Sequence, residues 1–461
     1  MKELMLDLSP LKAGGPLGLV LAARVLALLC IGLTSVAVVV QVYERTGSSA
    51  QVGMVSLVLA AGLLLGFLAG GVLADRRDRK ALILVGSTWA VVTFAVLAVN
   101  AAADRPSLWV VYVVGALFGF TEGVAETAMT AVLPALVAEE HIPATGALVT
   151  VTTTTGAIAG PMLGGVLIAG PGLAFTFALA AGGTAVTTLL LTRLGPMPPG
   201  GEGSDSVGET TADQAELDGA SDQEAVDKPQ VGALASLKEG FGFIGGNRVI
   251  AAVLVVDLCV AVLATPNALF PEIAETRLGG GPELVGLLTT APMIGAALAS
   301  LTSGWTGRTR NHWRVLCAAI ATWGAACIGF GLSPFLGLGL VFLAIGGIAD
   351  TVSEIMRRTL LMTHTPDALQ GRVSSLWLAQ AMTAPALGGV LAGLASSEFG
   401  PAAAVAGGGA ACLLALAVVA TVYRQLWLNT GQSKTPIPED GELADLDNRD
   451  ATSSARGLLA G

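Results

Sequence analysis

Charge is what this 461-residue chain has least of: 13% of its residues are Asp, Glu, Lys or Arg, about half of the roughly 25% typical of soluble domains. So little charge cannot solvate the surface of a globule this long, which excludes an ordinary water-soluble enzyme. Histidine and cysteine are also sparse. His141, His312 and His364 lie far apart in polar connections, and Cys30, Cys259, Cys317, Cys327 and Cys412 stand singly inside apolar runs. No CxxC spacing joins them, so neither a metal site nor a disulfide framework is indicated. A lone cysteine in such a run packs as a small hydrophobe. There is no P-loop to harness ATP, and no cofactor or nucleic-acid partner is indicated. A signal peptide is not expected, because the first apolar run is too long for one.

Hydrophobic residues fill the space, at 53% with 60 glycines, and the mean hydropathy is +0.73. The net charge of −10 is unevenly placed. Between Pro199 and Lys228 nine acids face one base, and after Thr430 six acids face three, so the remaining body is near neutral. A helix needs about 20 apolar residues to cross a bilayer, and twelve such runs are legible. They cover about 17–42, 51–75, 80–102, 107–131, 145–170 and 172–193, then 248–272, 282–307, 314–333, 335–357, 371–396 and 400–425. The boundaries around Met129–Ile142 and Met356–Asp367 are the least defined. Lysine and arginine collect on cytoplasmic loops. With the N-terminus inside, Arg45, Arg105 and Arg277 fall outside, Arg24 lies within the first span, and the other 20 bases are cytoplasmic. Both termini are therefore expected in the cytoplasm.

The domain reading follows. Residues 1–193 form an N-terminal six-helix bundle and 248–425 a C-terminal one. Between them, 194–247 is a cytoplasmic acidic linker, too poor in large apolar residues to offset its ordering entropy. Its end, with Leu234, Leu237, Phe241 and Ile244 at helical spacing, suggests an interfacial helix. Residues 426–461 read as a disordered cytoplasmic tail.

The two halves repeat. Val52-Gly53 is followed by Gly62 and Gly71 at nine-residue steps, and Val285-Gly286 by Gly295 and Gly304 at the same steps. Pro161-Met-Leu-Gly164-Gly165-Val-Leu167 matches Pro385-Ala-Leu-Gly388-Gly389-Val-Leu391, and Glu122-Gly-Val-Ala-Glu126 matches Asp350-Thr-Val-Ser-Glu354. Six spans duplicated in parallel is a transporter arrangement, with the substrate site between the halves near the midplane. Small residues also let helices pack closely in lipid, but packing alone does not require the same spacing twice.

Gly70-Gly71-Val-Leu-Ala-Asp75-Arg76-Arg77-Asp78-Arg79-Lys80 resembles the signature between spans two and three of the major facilitator superfamily, with Asp78 where that pattern has glycine. The resemblance implies an all-α integral membrane protein: twelve transmembrane helices in two pseudo-symmetric six-helix bundles. It also implies a cytoplasmic gate at Gly71, Asp75, Arg76, Arg79 and Arg372, with Asp75 accepting from Arg79 or from amides near Gly371 and Arg372. The corresponding stretch in the second half, Gly304 to Arg310, lacks the aspartate. Gly156-Ala-Ile-Ala-Gly160-Pro161-Met-Leu-Gly164-Gly165 resembles the fifth-helix motif of drug and proton antiporters of that superfamily. The arginine motif often found on their fourth helix is missing, and glutamates stand in its place.

Ionisable residues inside spans are costly and face a cavity or a partner. Arg24, Glu122, Glu126, Asp257, Asp350 and Glu354 lie on spans one, four, seven and ten, which line the central cavity in the superfamily. Low dielectric disfavours a charged carboxylate, so these acids are candidates for proton coupling, in the order Asp257, Glu122 and Asp350, then Glu126 and Glu354. Structural pairing is the alternative for each, with Arg357 or Arg358 available to Glu354. Arg24, about 10 Å into its helix at 1.5 Å per residue, either snorkels to the surface or faces an anionic substrate. The threonines from Thr152 to Thr155 are expected to bond between helices.

Leu21-Ala-Ala-Arg24, Leu301-Thr-Ser-Gly304 and Gly371-Arg-Val-Ser-Ser-Leu-Trp377-Leu-Ala-Gln380 resemble the enterobactin-type siderophore exporters of the superfamily. That resemblance implies a monomer in the bacterial plasma membrane, exchanging a small-molecule siderophore for protons by alternating access. A multidrug or macrolide efflux pump of the same superfamily is the alternative. A non-transporting sensor that recruits a partner through its acidic loop is a third reading.

Overall fold

The computed structural model describes residues 17–74, 76–132, 142–193, 247–309 and 311–423. Asp75, the linker with its expected interfacial helix, and the tail lie outside these ranges. In lipid every backbone polar group must find its partner within the protein, which leaves helices as the way for apolar runs like these to cross. Twelve helices among the described residues are long and apolar enough to do so. We number them α1 (Leu17–Thr46), α2 (Ser49–Ala74), α3 (Arg79–Ala102), α4 (Leu108–Val132), α5 (Ile142–Ala169), α6 (Leu173–Thr192), α7 (Arg248–Leu263), α8 (Pro282–Leu301), α9 (His312–Leu332), α10 (Leu336–His364), α11 (Asp367–Phe399) and α12 (Pro401–Val422). The face carrying the start of α1 and the end of α12 is called the terminal face. The other, with the 47–48 loop, is the opposite face.

The seventh, eighth and tenth spans differ from the sequence expectation; the eighth ends at Leu301, six residues short of 307, before a separate tight turn of helix, Ser303–Arg308. The seventh breaks after α7, at Ala264 and the Thr265-Pro266 step, before a short helix Phe270–Thr276. Proline cannot donate a backbone hydrogen bond, and at the break the Ala264 carbonyl accepts from Trp323 Nε1 at 2.9 Å. The tenth span runs two turns longer than expected, to His364, because its basic end still packs: Asn247 at the start of α7 donates to the His364 carbonyl at 3.2 Å.

Helix starts differ between the faces. On the terminal face, α3, α7 and α9 begin with side-chain caps from Asp78, Asn247 and Asn311. Asp78, where the family pattern has glycine, accepts from Lys80 N at 2.9 Å; the substitution gives α3 its N-cap. On the opposite face, α6 and α12 follow Gly172 and Gly400, at φ 97° and 80°. Side chains avoid that region, and both halves use glycine there to turn tightly.

The glycine repeat explains the packing. Gly62 of α2 lies against Ala116 of α4, and Gly295 of α8 against Ala344 of α10, within their own halves. Gly53 and Gly286, nine residues earlier, instead meet the other half: Gly53 faces Gly389, and Gly286 faces Gly165. The paired glycines of α5 and α11 divide their work in the same way. Gly164 packs on Leu33 of α1 and Gly388 on Val262 of α7, within each half. The second member, Gly165 or Gly389, faces the helix that crosses from the other half. Added carbon has no room here, since a Cβ on Gly165 would stand 2.6 Å from the Pro282 carbonyl oxygen. The halves therefore join through α2 with α11 and α5 with α8, a pseudo-twofold arrangement. Large apolar side chains such as Leu65, Val99, Trp109 and Leu414 cover the outside, as a lipid-facing surface requires.

Candidate functional site

The candidate acids fall into two clusters, one in each half. In the first half, Arg24 of α1 donates through Nη2 to Glu126 Oε1 of α4 at 3.0 Å and through Nη1 to Oε2 at 3.4 Å. Glu122, one turn away on α4, lines the same cavity of about 80 Å³, with Ser87 of α3 and Thr184 and Thr187 of α6. Arg24 is thus inside its bundle and paired, rather than snorkelled to the surface.

The second half holds a larger cavity, about 440 Å³, lined by α7, α8, α9, α10 and α11. Asp257 is buried in its wall, only 3% exposed. Its carboxylate pairs with the Arg357 guanidinium of α10 and accepts from Gln380 Nε2 of α11 at 2.9 Å. The same Gln380 nitrogen reaches the Leu254 carbonyl at 3.0 Å. Arg357 also reaches Asp350 Oδ1 at 3.5 Å, so one guanidinium lies between two carboxylates. Asp257 is shut in, whereas the Asp350 side chain is half exposed to the cavity. Glu354 lines the cavity too, with Trp323, and Arg358 stands over the Trp377 ring at 5.6 Å from its centroid.

This network corrects part of the sequence reading. The sequence offers Arg357 or Arg358 to Glu354, but Arg357 takes Asp257 and Asp350: α10 turns about 100° per residue, and Arg357 lies seven residues, close to two turns, beyond Asp350. Gln380 carried no role in the sequence reading, although it closes the Leu-Trp-Leu-Ala-Gln run that carried the resemblance. The two cavities that hold the candidate acids are each lined by residues of one half, while a third, of about 260 Å³, lies between the halves, lined by Val40, Tyr43 and Glu44 of α1 and by Pro282 and Val285 of α8. The threonine run is a further correction. Thr152 and Thr153 donate to the Val149 carbonyl and Thr155 to that of Val151, so they bond within α5 rather than between helices.

Of the gate residues, Asp75 lies outside the described residues. Gly71 lies in the last turn of α2 with open space where a side chain would be, Arg76 is exposed, and Arg79 begins α3. Arg372 sits in the first turns of α11. In the α5 motif, Gly156 packs on Leu28, and Gly160 approaches Gly32 of α1, where a Cβ would stand 2.7 Å from its Cα. Pro161 sits inside the unbroken helix. Among the described residues no His, Cys, Asp or Glu group of three could hold a metal ion.

A fold of two six-helix halves crossed by α2–α11 and α5–α8, with ionisable residues inside its spans, describes a multi-pass membrane transporter. The chain belongs to the major facilitator superfamily, whose family model matches residues 20–271 and 258–459. Among its relatives is the enterobactin exporter EntS of Shigella boydii serotype 18, 32% identical over 411 residues, which are 89% of this chain and 92% of that one. EntS of Escherichia coli O6:H1 is also 32% identical, over 412 residues and the same shares. These relatives are transporters, and the chain is a transporter rather than an enzyme. Among solved structures, the nucleoside transporter NupG superposes with a TM-score of 0.64 at 14% identity, covering 89% of this chain and 99% of that one. A bacterial homologue of the human lysosomal transporter Spinster gives 0.64 at 17%, covering 91% and 98%. At such identities these two show the fold alone.

Proposed function

We propose that this protein is a secondary active exporter that moves a siderophore of the enterobactin class out of the bacterial cytoplasm in exchange for protons. The observation that carries the cargo is the 32% identity to enterobactin exporters along 89% of the chain. The orientation is supported by the lysines and arginines, which put the terminal face, the acidic linker and both termini in the cytoplasm. The protein acts in the inner membrane as a monomer, its halves 1–193 and 248–425 moving about the linker 194–247, with 426–461 as a cytoplasmic tail.

The second-half cavity supplies the coupling chemistry. Arg357 between Asp257 and Asp350 is held by opposite charge on both sides. A proton on either carboxylate removes one attraction and lets the guanidinium shift toward the other. Cargo enters from the cytoplasm while the acids are charged; protonation from outside after release favours return. One charge crossing the field gains about 2.3 kcal/mol per 100 mV, enough to bias such a cycle. Glu122, beside the Arg24–Glu126 pair, is a second proton site in the first half. The cargo packs against Trp323, Trp377 and Arg358, whose flat faces suit catechol rings. Asp75, Gly71, Arg76, Arg79 and Arg372 form the cytoplasmic gate.

The test is siderophore secretion by a strain lacking the gene. Loss of secretion, restored by the wild-type gene, supports the reading; unchanged secretion sinks it. The α5 glycine motif favours drug efflux as a second reading, and export of lipophilic cations in place of catecholates would establish that instead.

A further inference from the structure

We propose that Glu272 is the latch that holds the opposite face shut during the transport cycle. It lies in the short helix Phe270–Thr276 beyond the break in the seventh span. Its Oε2 accepts from Ser49 Oγ at 2.5 Å, and Ser49 is the first residue of α2 in the first half. Its Oε1 accepts from Ser396 Oγ at 2.8 Å, near the end of α11 in the second half. One carboxylate thereby takes a hydroxyl from each helix of the α2–α11 pair, one of the two pairs that join the halves, and both of its oxygens are engaged.

The surroundings show why this joint matters. Beside it Gly393 faces Ala50 and Gly53 faces Gly389, so α2 and α11 touch backbone to backbone. Those contacts fix the distance between the helices but add no charged bond. Glu272 supplies one, and hydrogen bonds with an ionised partner are roughly twice as strong as neutral ones. Arg277, on the next turn, is committed elsewhere, donating to the Gly331 and Ser333 carbonyls at 2.6 and 3.3 Å. Opening the opposite face requires α2 and α11 to part here, so the carboxylate must release Ser49 before cargo can leave. The latch rests on the alternating-access cycle and the orientation proposed above, and does not depend on the cargo.

The experiment reads which face is open. A single reporter, Asn267→Cys, is placed at an exposed position lining the second-half cavity, in a Cys259→Ser background because the other cysteines are buried. A membrane-impermeant maleimide is applied to intact cells and, separately, to inside-out vesicles. Glu272→Ala is expected to raise labelling in intact cells about tenfold, within the worth of charged hydrogen bonds, and to lower it in vesicles. The double variant Ser49→Ala/Ser396→Ala, which keeps Glu272 and removes both donors, is expected to move both rates the same way and decides the matter if Glu272→Ala fails to reach the membrane. Unchanged rates with parental membrane levels overturn the latch, as does a rise from both sides, which reports mere loosening. A control cysteine at Lys434 separates the two premises: labelling of Lys434→Cys in intact cells refutes the orientation, not the latch.

Discussion

At the scale of single residues, the buried pair of Asp257 and Arg357 controls both stability and transport. Removing the Asp257 charge takes away the closer of the two carboxylates that hold Arg357 and leaves the guanidinium only the longer contact to Asp350, at a cost of up to about 3–5 kcal/mol, the range for breaking a buried pair. Asp257→Asn is therefore expected to lower the melting temperature in detergent and to cut export more than tenfold. Pairing it with Arg357→Gln removes the under-compensated guanidinium. The double variant should recover much of the melting temperature and none of the proton-driven export, a non-additivity that a double-mutant cycle measures. Asp350, half exposed and bound by one long contact, behaves differently. Asp350→Asn should leave thermal stability within about 1 kcal/mol, while weakening the dependence of export on the proton gradient, as measured by fluorescence quenching in vesicles. If all three of Asp257, Glu122 and Asp350 are replaced by amides and proton-dependent export survives, the coupling assignment is wrong. Asp257 and Asp350 stood out in the sequence because a charge inside a 20-residue apolar run has few neutral explanations. Their shared partner did not, because Arg357 lies 100 residues from Asp257 in the chain and meets it only through helix rotation and register.

At the scale of elements, the glycines separate static packing from motion. Gly165 meets Pro282 and Gly286 of the other half with no room for a Cβ. Gly165→Leu should wedge α5 from α8 and cost 1–3 kcal/mol or more by overpacking, with export falling alongside stability. Gly71 makes the opposite case. A Cβ there meets nothing within 4 Å, and alanine favours helix over glycine by about 1 kcal/mol. Gly71→Ala should leave the protein as stable as before or slightly more so, yet slow export several-fold, because the gate assigned to this position closes in another state of the cycle. Equal export by Gly71→Ala and wild type would remove Gly71 from the gate. The duplication made these glycines legible as equivalent pairs. Which of them lies within a half and which lies between halves was not, because a nine-residue step is two and a half turns and so faces the opposite side of the helix.

At the scale of the whole molecule, the described residues of the two halves contact each other chiefly through α2–α11 and α5–α8. Deleting residues 200–228 should leave export within about twofold of wild type, since the segment is too polar to build a core. Halves expressed as two separate chains should reassemble in the membrane and regain part of the transport. Loss of all export on deletion, with normal membrane levels, would instead give the acidic segment a role beyond that of a tether.

Twelve spans and two equivalent halves followed from composition and spacing alone. The physical reason is that a bilayer admits so few backbone arrangements: an apolar run of that length becomes a helix whatever its neighbours. The Asp78 cap and the Gly172 and Gly400 turns are local in the same way, each set by a few adjacent residues. Tertiary structure alone decided that Arg357 holds Asp257 and Asp350, that Gln380 completes their network, that each acid cluster lies within one half, and that Glu272 joins α2 to α11. Those contacts depend on how helices rotate and slide against one another, and many apolar faces pack equally well in lipid. Small-residue packing and a few buried charges select among those arrangements only once all twelve helices are in place.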